Sequence, residues 1–402
     1  MYFIDNPKIT DPKGYTAAAT RAGFKRKRKD LCIIKSAVPA RCSAKFTRNM
    51  VKAAPVLAGM KTLKNSGNML QALIVNSGNA NAGTGSQGMQ DVAETVAILS
   101  QKSGVPENLI LASSTGVIGE FLDMEKMKVG LDAIAHRLSV DGGAGCAEAI
   151  LTTDTVEKSF GVKIDIQGKE VTICGITKGS GMIQPNMATT LAFVTSDADI
   201  DHGLLEQIFT DCVNRSYNMI TVDGHTSTND TALIMTNGLA GNPTIQTGTP
   251  EAKLFQAALM ALMLEMAKSI VKDGEGATKF VTVSVKQADT FENAKKMAFG
   301  IANSALVKTA IFGEDPNWGR ILSAAGMVDV EFDPGKADLQ INDVYIYQNG
   351  NPVTLTKTEK QKLMTPVKLD IILNVYTGAE SAMVYTSDLS YEYVRINAEY
   401  HT

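Results

Sequence analysis

The 402-residue chain is 44% hydrophobic and 20% charged, with a formal net charge of −3 at pH 7. This composition is typical of a globular protein with a large core, and it excludes an intrinsically disordered chain. A nearly balanced charge provides no broad electrostatic surface for nucleic acid, so we expect no nucleic-acid partner.

Cysteine usage and the apolar segments bear on the compartment. The five cysteines are widely spaced and form no CxxC pair, which argues against a disulfide framework and against a zinc site. The amino terminus, MYFIDNPKITDPKG, lacks the apolar segment of a signal peptide. The longest apolar run, 257–264, is far shorter than the ~20 residues that span a bilayer. We therefore expect a cytoplasmic protein with no membrane partner and no bound metal.

Strand and helix patterns alternate along the chain. Residues 71–75 (QALIV) predict a buried strand, which leads through 76–85 into a helix over 89–103. The patterns predict further strands over 169–176 and 280–286, and further helices around 204–213, 250–273 and 290–307.

The helix over 250–273 has the clearest signals. Thr249 is a suitable N-cap, Pro250 suits the first helical position, and apolar residues recur at helical spacing on one face. Together the elements predict an α/β (α+β) fold with layers of helices packed on mixed sheets. No Pro/Gly/Ser-rich linker divides the chain, and the most conspicuous loop covers 178–186.

Common catalytic motifs are absent. The sequence contains no GxGxxG after a strand, no GxxxxGK[ST], no HExxH and no GxSxG. Its four histidines do not pair at metal-ligand spacing. Any hydrolytic or transfer chemistry is therefore expected to use a base other than histidine.

The glycine-rich segment 76–85, NSGNANAGTG, has two interpretations. A loop between a strand and a helix can hold a phosphate through its backbone N–H groups, which would make the protein a nucleotide-binding module. The glycine spacing fits neither standard phosphate-binding motif, so a glycine-permitted turn is favoured.

Thr115 and Gly116 lie in SSTGVIGE (113–120), after an apolar strand. A hydroxyl beside a closely approachable backbone N–H can form an oxyanion hole. The pattern alone favours an ordinary turn.

The segment KGSGMIQPNMATTLAFV (178–194) contains two adjacent threonines, Thr189 and Thr190. A threonine hydroxyl needs a base to become a nucleophile. The α-amino group of Thr189, with a pKa of ~7.7–8.0 once the preceding bond is cut, would be such a base. The pattern alone favours structural strand residues.

The same segment resembles the self-cleavage region of the ornithine acetyltransferase (glutamate N-acetyltransferase) family of the arginine cyclic pathway. Other segments are similar to family segments in the family's order: FTRNMVKAAPV (46–56), NSGNANAGTG (76–85), SSTGVIGE (113–120), ILTTDT (150–155), ITVDGHTSTNDTALI (220–234), KDGEGATK (272–279), GEDPNWGRI (313–321) and YVRINAEYHT (393–402). They cover nearly the whole chain, and their joint specificity is high.

This resemblance implies autoproteolysis between Ala188 and Thr189. The products would be an α chain of 1–188 and a β chain of 189–402 that stay associated, often as a heterotetramer or a larger assembly. The fold would have the arrangement of N-terminal-nucleophile enzymes, and no cofactor is expected.

The resemblance also implies site residues and a reaction. Thr189 would be the nucleophile, and Thr115 with Gly116 the oxyanion hole. The implied substrate-binding residues are Thr155, Lys178, Thr189, Glu275, Asn397 and Thr402. Acetyl would move from N2-acetylornithine to glutamate by a ping-pong mechanism through an acetyl-Thr189 intermediate.

Besides the nucleotide-binding module built on 76–85, three alternatives to this function remain open at the level of sequence. A bifunctional form would also use acetyl-CoA to acetylate glutamate. An N-terminal-threonine amidohydrolase would release its product without glutamate. A structural or interaction protein would never be cut.

Glu275 follows a predicted helix C-terminus, where a carboxylate needs a cation. Either Lys272 or Lys279, or the δ-ammonium of ornithine, could supply that cation. The sequence departs from the family pattern at four positions: Gly83, Gln184, Thr190 and His225. The motif register favours Thr189 over Thr190 as the nucleophile.

Overall fold

The computed structural model describes residues 1–184 and 190–399. Strands and helices alternate, and they form two β-sheets with helices packed on their faces. The predicted α/β (α+β) class, with layered helices on mixed sheets, is confirmed.

The larger sheet contains nine strands from the described residues. In chain order they are β1 (Tyr2–Phe3), β2 (Tyr15–Thr20), β3 (Leu31–Phe46), β4 (Met69–Asn79), β5 (Ile110–Val117), β6 (Lys158–Ile166), β7 (Lys169–Lys178), β8 (Leu191–Ser196) and β9 (Thr231–Thr236). Their spatial order is β1-β6-β7-β8-β9-β3-β4-β5, with β2 paired to β3. The pairs β4–β5 and β8–β9 are parallel among antiparallel neighbours.

The smaller sheet contains six strands of the described chain. They are β10 (Phe280–Ala288), β11 (Asp338–Ile341), β12 (Val344–Gln348), β13 (Asn351–Pro352), β14 (Lys368–Asn374) and β15 (Glu380–Ser387). Their spatial order is β13-β12-β11-β14-β10-β15. The central strand β10 runs parallel to β14 and antiparallel to β15.

The α-helices follow the same alternation. They are α1 (Ala54–Ser66), α2 (Gly85–Ser103), α3 (Met124–Ile134), α4 (Gly143–Ala149), α5 (His202–Arg215), α6 (Pro250–Lys272), α7 (Phe291–Asn303), α8 (Ala305–Phe312), α9 (Trp318–Gly326), α10 (Lys357–Met364) and α11 (Tyr391–Ala398). Helices α5 and α6 contribute to the core on one face of the larger sheet, and α7 packs on the smaller sheet.

Helix α6 begins as predicted. The Thr249 side chain accepts a hydrogen bond from the Ala252 N–H at 3.2 Å, and Pro250 occupies the first turn. Among the described residues, α6 is the one helix with the length and apolar composition needed to cross a membrane. Its buried residues, including Phe255, Leu262 and Ile270, pack in the core beside β6–β9. The apolar character of α6 therefore has an explanation within the core.

The single helix predicted over 290–307 is wrong. The structure has two helices, α7 and α8, separated at Ser304. Ser304 has φ −67° and ψ 113°, and its side chain accepts a hydrogen bond from the Val307 N–H at 3.4 Å. Serine thus acts as an N-cap, which starts a new helix where the apolar spacing alone suggested continuity.

The proposed cut between Ala188 and Thr189 lies outside the described residues. On its two sides, Lys178 of β7 pairs with Leu191 of β8 in the same sheet. Strand β8 is buried on both faces, since Leu191 and Ala192 belong to different core clusters. Chains of 1–188 and 189–402 would therefore share one sheet and its cores, and this division stays a prediction.

Candidate functional site

A cavity of about 360 Å³ opens where β5 and β7 end and β8 and β9 begin. The described residues that line it are Thr115, Gly116, Val117, Ile118, Thr152, Thr153, Lys178, Gly179, Gly181, Met182, Ile183, Thr190, Leu191, Ser227, Thr228, Asn229, Asp230, Glu275 and Asn397. Five predicted site residues, Thr115, Gly116, Lys178, Glu275 and Asn397, therefore meet at one cavity. The predicted residues Ala188, Thr189 and Thr402 lie outside the described part of the chain.

Thr115 and Gly116 lie at the end of strand β5 and not in the turn that the pattern favoured, and position 116 requires glycine. Gly116 has φ +136°, and a Cβ atom there would lie 2.3 Å from the carbonyl carbon of Gly78 and 2.5 Å from the Asn79 nitrogen. Ser77 and Gly78 of β4 pair with Thr115 and Gly116 of β5, so glycine at position 116 lets the two strands approach closely. The segment 76–85 is not all loop, because its residues 76–79 end β4, and none of its residues is among those that line the cavity.

Asn229 ties the ends of β4 and β5 to the segment that precedes β9. Its Nδ2 donates to the carbonyl oxygens of Ala80 and Ser114, at 2.6 and 2.8 Å. Its Oδ1 accepts from the Thr228 hydroxyl at 2.6 Å. Sequence reasoning missed Asn229, although a polar TSTND run just before an apolar strand marks a place where side chains replace sheet hydrogen bonds.

Lys178 ends β7 and is buried in the cavity wall. Its Nζ donates to Oγ1 of Thr115 at 3.2 Å. Burial lowers the pKa of Lys178, and Asp154 and Asp230 oppose that shift. A hydroxyl that accepts from an ammonium keeps its own proton free, so Thr115 can donate to a ligand oxygen in the cavity.

A buried network holds the backbone beside Lys178. The fully buried Lys158 places its Nζ 2.8 Å from Oδ1 of Asp154 and 2.5 Å from Oδ2 of Asp273. Oδ1 of Asp154 also accepts from the Gly179 N–H at 2.7 Å. Burial works to raise the pKa of Asp154, but Lys178 and Lys158 outweigh it and hold that pKa at about 2. Sequence reasoning did not select these residues, because buried and exposed charges look alike in a sequence.

Thr155 does not line the cavity. Its N–H donates to Oδ2 of Asp273 at 3.1 Å, and its hydroxyl bonds to the same carboxylate. Thr152 and Thr153 line the cavity instead. The geometry therefore joins Thr155 to the Lys158 network, and its role in substrate binding stays a prediction.

Glu275 is a buried carboxylate in the cavity wall. Neither lysine considered as its partner reaches it. Nζ of Lys279 pairs with Glu314 at 2.8 Å, and Nζ of Lys272 lies 5.7 Å from the centre of the Phe280 ring. The Glu275 carboxylate is thus available to a cation in the cavity.

The C-terminal helix α11 supplies Asn397. Its Nδ2 donates to Oε2 of Glu275 at 2.7 Å. Tyr393, one turn earlier on the same helix face, donates its hydroxyl to Oδ2 of Asp223 at 3.3 Å. The Ser390 hydroxyl bonds to the Gly276 carbonyl at 2.7 Å. Helix α11 therefore brings Asn397 to the cavity wall, and the role of Asn397 in substrate binding stays a prediction.

The segment before the proposed cut is anchored by side chains. Asp223 accepts from the N–H groups of Met182 and Ile183, at 2.7 and 2.8 Å. Two departures from the family pattern meet here, because the Gln184 N–H donates to the His225 carbonyl at 3.0 Å. The Gln184 side chain accepts from Asn303 at 2.7 Å. The His225 side chain is exposed.

Two polar atoms of the cavity wall have no hydrogen-bond partner within the described chain. They are Oγ1 of Thr190 and Oδ2 of Asp230, both in buried residues. Burial raises the pKa of Asp230 well above its usual range, and Lys178 and Ser227 oppose that shift. Sequence reasoning did not single out Asp230.

The cavity thus combines donors for an oxygen with acceptors for a cation. Thr115 and Gly116 line it together with Glu275 and Asn397. Residues 1–184 and 190–399 contain no group of three or more His, Cys, Asp or Glu side chains suited to a metal. All five cysteines are free and buried.

Comparison with known proteins identifies relatives along nearly the whole chain. The ArgJ family model matches residues 16–402. The arginine biosynthesis bifunctional protein ArgJ of Symbiobacterium thermophilum is 43% identical over 397 residues, covering 98% of each chain. The protein of the same name from Caldanaerobacter subterraneus subsp. tengcongensis is 45% identical over 406 residues, covering 100% of each.

A solved structure adds a match in three dimensions. The crystal structure of the arginine biosynthesis bifunctional protein ArgJ from Bacillus halodurans aligns with a TM-score of 0.50 at 40% identity, covering 52% of this chain and 98% of that chain. The family resemblance predicted from the sequence is confirmed. This chain belongs to the ArgJ family.

Proposed function

We propose that this enzyme is a glutamate N-acetyltransferase of arginine biosynthesis, which transfers acetyl from N2-acetylornithine to glutamate. One observation carries the proposal: Thr115, Gly116, Lys178, Glu275 and Asn397 meet at one cavity. An oxygen-binding pair at the end of β5 and a cation-binding carboxylate in the same cavity suit an acetylated amino acid with a cationic side chain.

The amide oxygen of the donor would bind at Thr115 and Gly116, at the end of β5. Attack on the acetyl carbon converts that oxygen into an oxyanion, which the Thr115 hydroxyl and a nearby backbone N–H would stabilise. The bond from Lys178 to Thr115 supports this assignment, because a hydroxyl that accepts from an ammonium is a stronger donor. Lys178 has further N–H groups for the α-carboxylate of the substrate.

The δ-ammonium of the donor would bind Glu275. This carboxylate is buried and unpaired by lysine, so a ligand cation would form a charge-assisted hydrogen bond in a site of low dielectric. Asn397 would hold the carboxylate in place through its bond to Oε2.

The chemistry would proceed in two steps through an ester. The Thr189 hydroxyl attacks the acetyl carbon, and its proton passes to the α-amino group of the same residue. That amine returns the proton to the leaving ornithine nitrogen. Glutamate then attacks the acetyl-Thr189 ester by the reverse sequence, so the reaction is ping-pong and requires no cofactor.

This mechanism requires cleavage between Ala188 and Thr189. The solved chain from Bacillus halodurans supports it, because 52% of the present chain covers 98% of that one, as expected if a processed half was solved. The shared sheet would keep the two products associated without a covalent link. Assembly of these products into a heterotetramer, and a cytoplasmic location, belong to the same proposal.

The test begins with intact-mass analysis of the purified protein. The wild type should give two chains of roughly equal size, and so should Thr190→Ala, whereas Thr189→Ala should stay whole. Cleavage of Thr189→Ala would reject Thr189 as the residue that cuts. N-acetylglutamate should then form from N2-acetylornithine and glutamate. Release of acetate without glutamate would instead support the amidohydrolase.

A second activity is favoured by the relatives, whose names describe a bifunctional protein. In that case the same acetyl-Thr189 would also form from acetyl-CoA. Incubation with acetyl-CoA and glutamate, without N2-acetylornithine, distinguishes the two. N-acetylglutamate appears under these conditions only if the enzyme is bifunctional.

A further inference from the structure

Asp230 is an acid of the cavity wall that the proposed reaction does not use. It is 2% exposed, and its Oδ2 atom has no hydrogen-bond partner among residues 1–184 and 190–399. The Oγ1 atom of Thr190, a residue that is 4% exposed, likewise has no hydrogen-bond partner within these residues. Burying an unsatisfied carboxylate oxygen costs free energy, so a partner for it is expected.

The register of the sheet places these two residues side by side. Thr190 directly precedes β8, and Asp230 directly precedes β9. The two strands run parallel with Leu191 opposite Thr231, and the Thr231 N–H donates to the Thr190 carbonyl at 2.9 Å. Thr189 directly precedes Thr190 in the sequence.

No described cation occupies the place beside Asp230. Lys178 lines the same cavity and acts electrostatically on Asp230, but Nζ of Lys178 donates to Thr115, and the two residues form no ion pair within the described structure. Ser227 is the other group that acts on Asp230, and Asp154 and Glu275 act on Lys178. An unpaired, buried carboxyl favours its neutral form until a cation faces it.

We propose that Asp230, with the Thr190 hydroxyl beside it, receives the α-amino group that cleavage releases at Thr189. The inference rests on the proposed function. Before the cut, the nitrogen of Thr189 belongs to an amide and is neither basic nor cationic. After the cut it is an amine, which becomes an ammonium when it takes the hydroxyl proton.

Asp230 is thus a positioning residue that acts through the amine. As the Oγ–H bond of Thr189 breaks and the bond from Oγ to the acetyl carbon forms, the proton moves to the amine. Asp230 releases its own proton to solvent once, when cleavage frees the amine, and its carboxylate then orients and stabilises the ammonium that forms during each acetyl transfer. The proton leaves again with the ornithine nitrogen, and Asp230 itself transfers none during the reaction.

The test is Asp230→Asn, which keeps the shape and removes the charge. The measurement is the rate of acetyl-enzyme formation from N2-acetylornithine, without glutamate, as a function of pH. A neighbouring carboxylate raises the pKa of an amine by ~1–3 units. Its loss should therefore move the acid limb of the profile down by about 1 pH unit and lower the plateau ~10-fold. The KM for N2-acetylornithine should stay within about 3-fold, and cleavage should remain complete.

Asp91→Asn is the matched control. Asp91 is also buried with an unpartnered Oδ2 atom, but it lies in α2 and does not line the cavity. The pH profile of acetyl-enzyme formation by Asp91→Asn should have its acid limb at the wild-type pH. Thr190→Val should shift the limb in the same direction as Asp230→Asn by a smaller amount, because one acceptor of the ammonium is lost. If Asp230→Asn does not fold, this shift decides the question.

Three results would overturn the inference. They are an unchanged acid limb, an effect confined to the KM of glutamate, and an uncut Asp230→Asn chain. The second would mean that the amine of the incoming amino acid is the partner of Asp230, and the third that Asp230 acts in maturation. If the wild type itself is not cut at Ala188–Thr189, the proposed function fails. If the wild type is cut and active, any of these three results rejects the inference about Asp230 and leaves the proposed function intact.

Discussion

Nδ2 of Asn397 donates to Oε2 of Glu275 across 2.7 Å, although 122 residues separate them in the chain. The bond joins the C-terminal helix to the loop after α6. The Glu275 carboxylate accepts this bond and pairs with no lysine among the described residues. It is therefore held in a fixed orientation and can still bind a cation.

The first prediction concerns the charge of Glu275. Glu275→Gln should raise the KM for N2-acetylornithine ~10–100-fold, because a hydrogen bond between charged groups contributes about 1.5–3 kcal/mol. An acetylated amino acid with an uncharged side chain should lose little. Glu314→Gln, which alters the partner of Lys279, serves as the control. Equal losses for both donors would contradict the assignment of Glu275.

The second prediction distinguishes the contributions of Asn397 and Thr402, in the last six residues, to substrate binding. Deletion of 397–402 should raise the KM for N2-acetylornithine, because Glu275 loses its partner Asn397. Deletion of 400–402 alone should reproduce part of that loss if Thr402 also binds substrate. Asn397→Ala tests the single bond. Kinetics of the 397–402 deletion equal to those of the intact enzyme would remove the tail from the site.

The third prediction concerns the proposed oxyanion hole at Gly116, at the end of β5. In Gly116→Ala the added methyl would lie 2.3 Å from a backbone carbon of Gly78, so the backbone must move. Displacing one oxyanion donor should lower kcat ~10²–10³-fold. Gly326→Ala is the control, since nothing lies within 4 Å of its Cβ position. Steady-state kinetics and thermal unfolding should be measured on both, and near wild-type activity in Gly116→Ala would contradict the oxyanion hole.

The fourth prediction concerns the pH dependence of stability. The pKa of Asp154 is about 2 in the folded protein and ~3.9 in an unfolded chain. A depressed carboxyl pKa stabilises the fold above the unfolded pKa, here by roughly 2–3 kcal/mol, and this contribution is lost as pH falls through the folded pKa.

Asp154→Asn should therefore lower the urea midpoint at pH 7, and the difference from wild type should shrink between pH 4 and pH 2. Asp141→Asn, which breaks a surface pair with Lys8, should change the midpoint little at any pH. A difference for Asp154→Asn that is constant from pH 7 to pH 2 would contradict this account of the Lys158 network.

The sequence predicted the mixed fold and helix α6, because apolar spacing and caps are local signals. The pattern at Thr115, Gly116 and Thr190 favoured ordinary turn and strand residues, and only the family resemblance pointed to a site. Position 116 shows why. It requires glycine because a Cβ atom there would collide with the backbone of Gly78, which is distant in sequence.

The remaining site residues depend on burial, which charged residues do not reveal in a sequence. Asp154, Lys158 and Asp230 are nearly or fully buried, and nothing local distinguishes them from surface charges. The break at Ser304 was missed for a related reason. A serine is compatible with a continuing helix until its side chain bonds to a backbone N–H ahead of it.

The most direct test of the central claim is to trap the acetyl group on the enzyme. Wild-type protein is incubated with N2-acetylornithine alone, denatured and digested, and the peptides are examined by mass spectrometry. We expect one acetyl group on the peptide that begins at Thr189, removable by hydroxylamine as an ester and lost when glutamate is added before denaturation. An acetyl group on another residue, or N-acetylglutamate formed with no acetylated enzyme, would contradict the account.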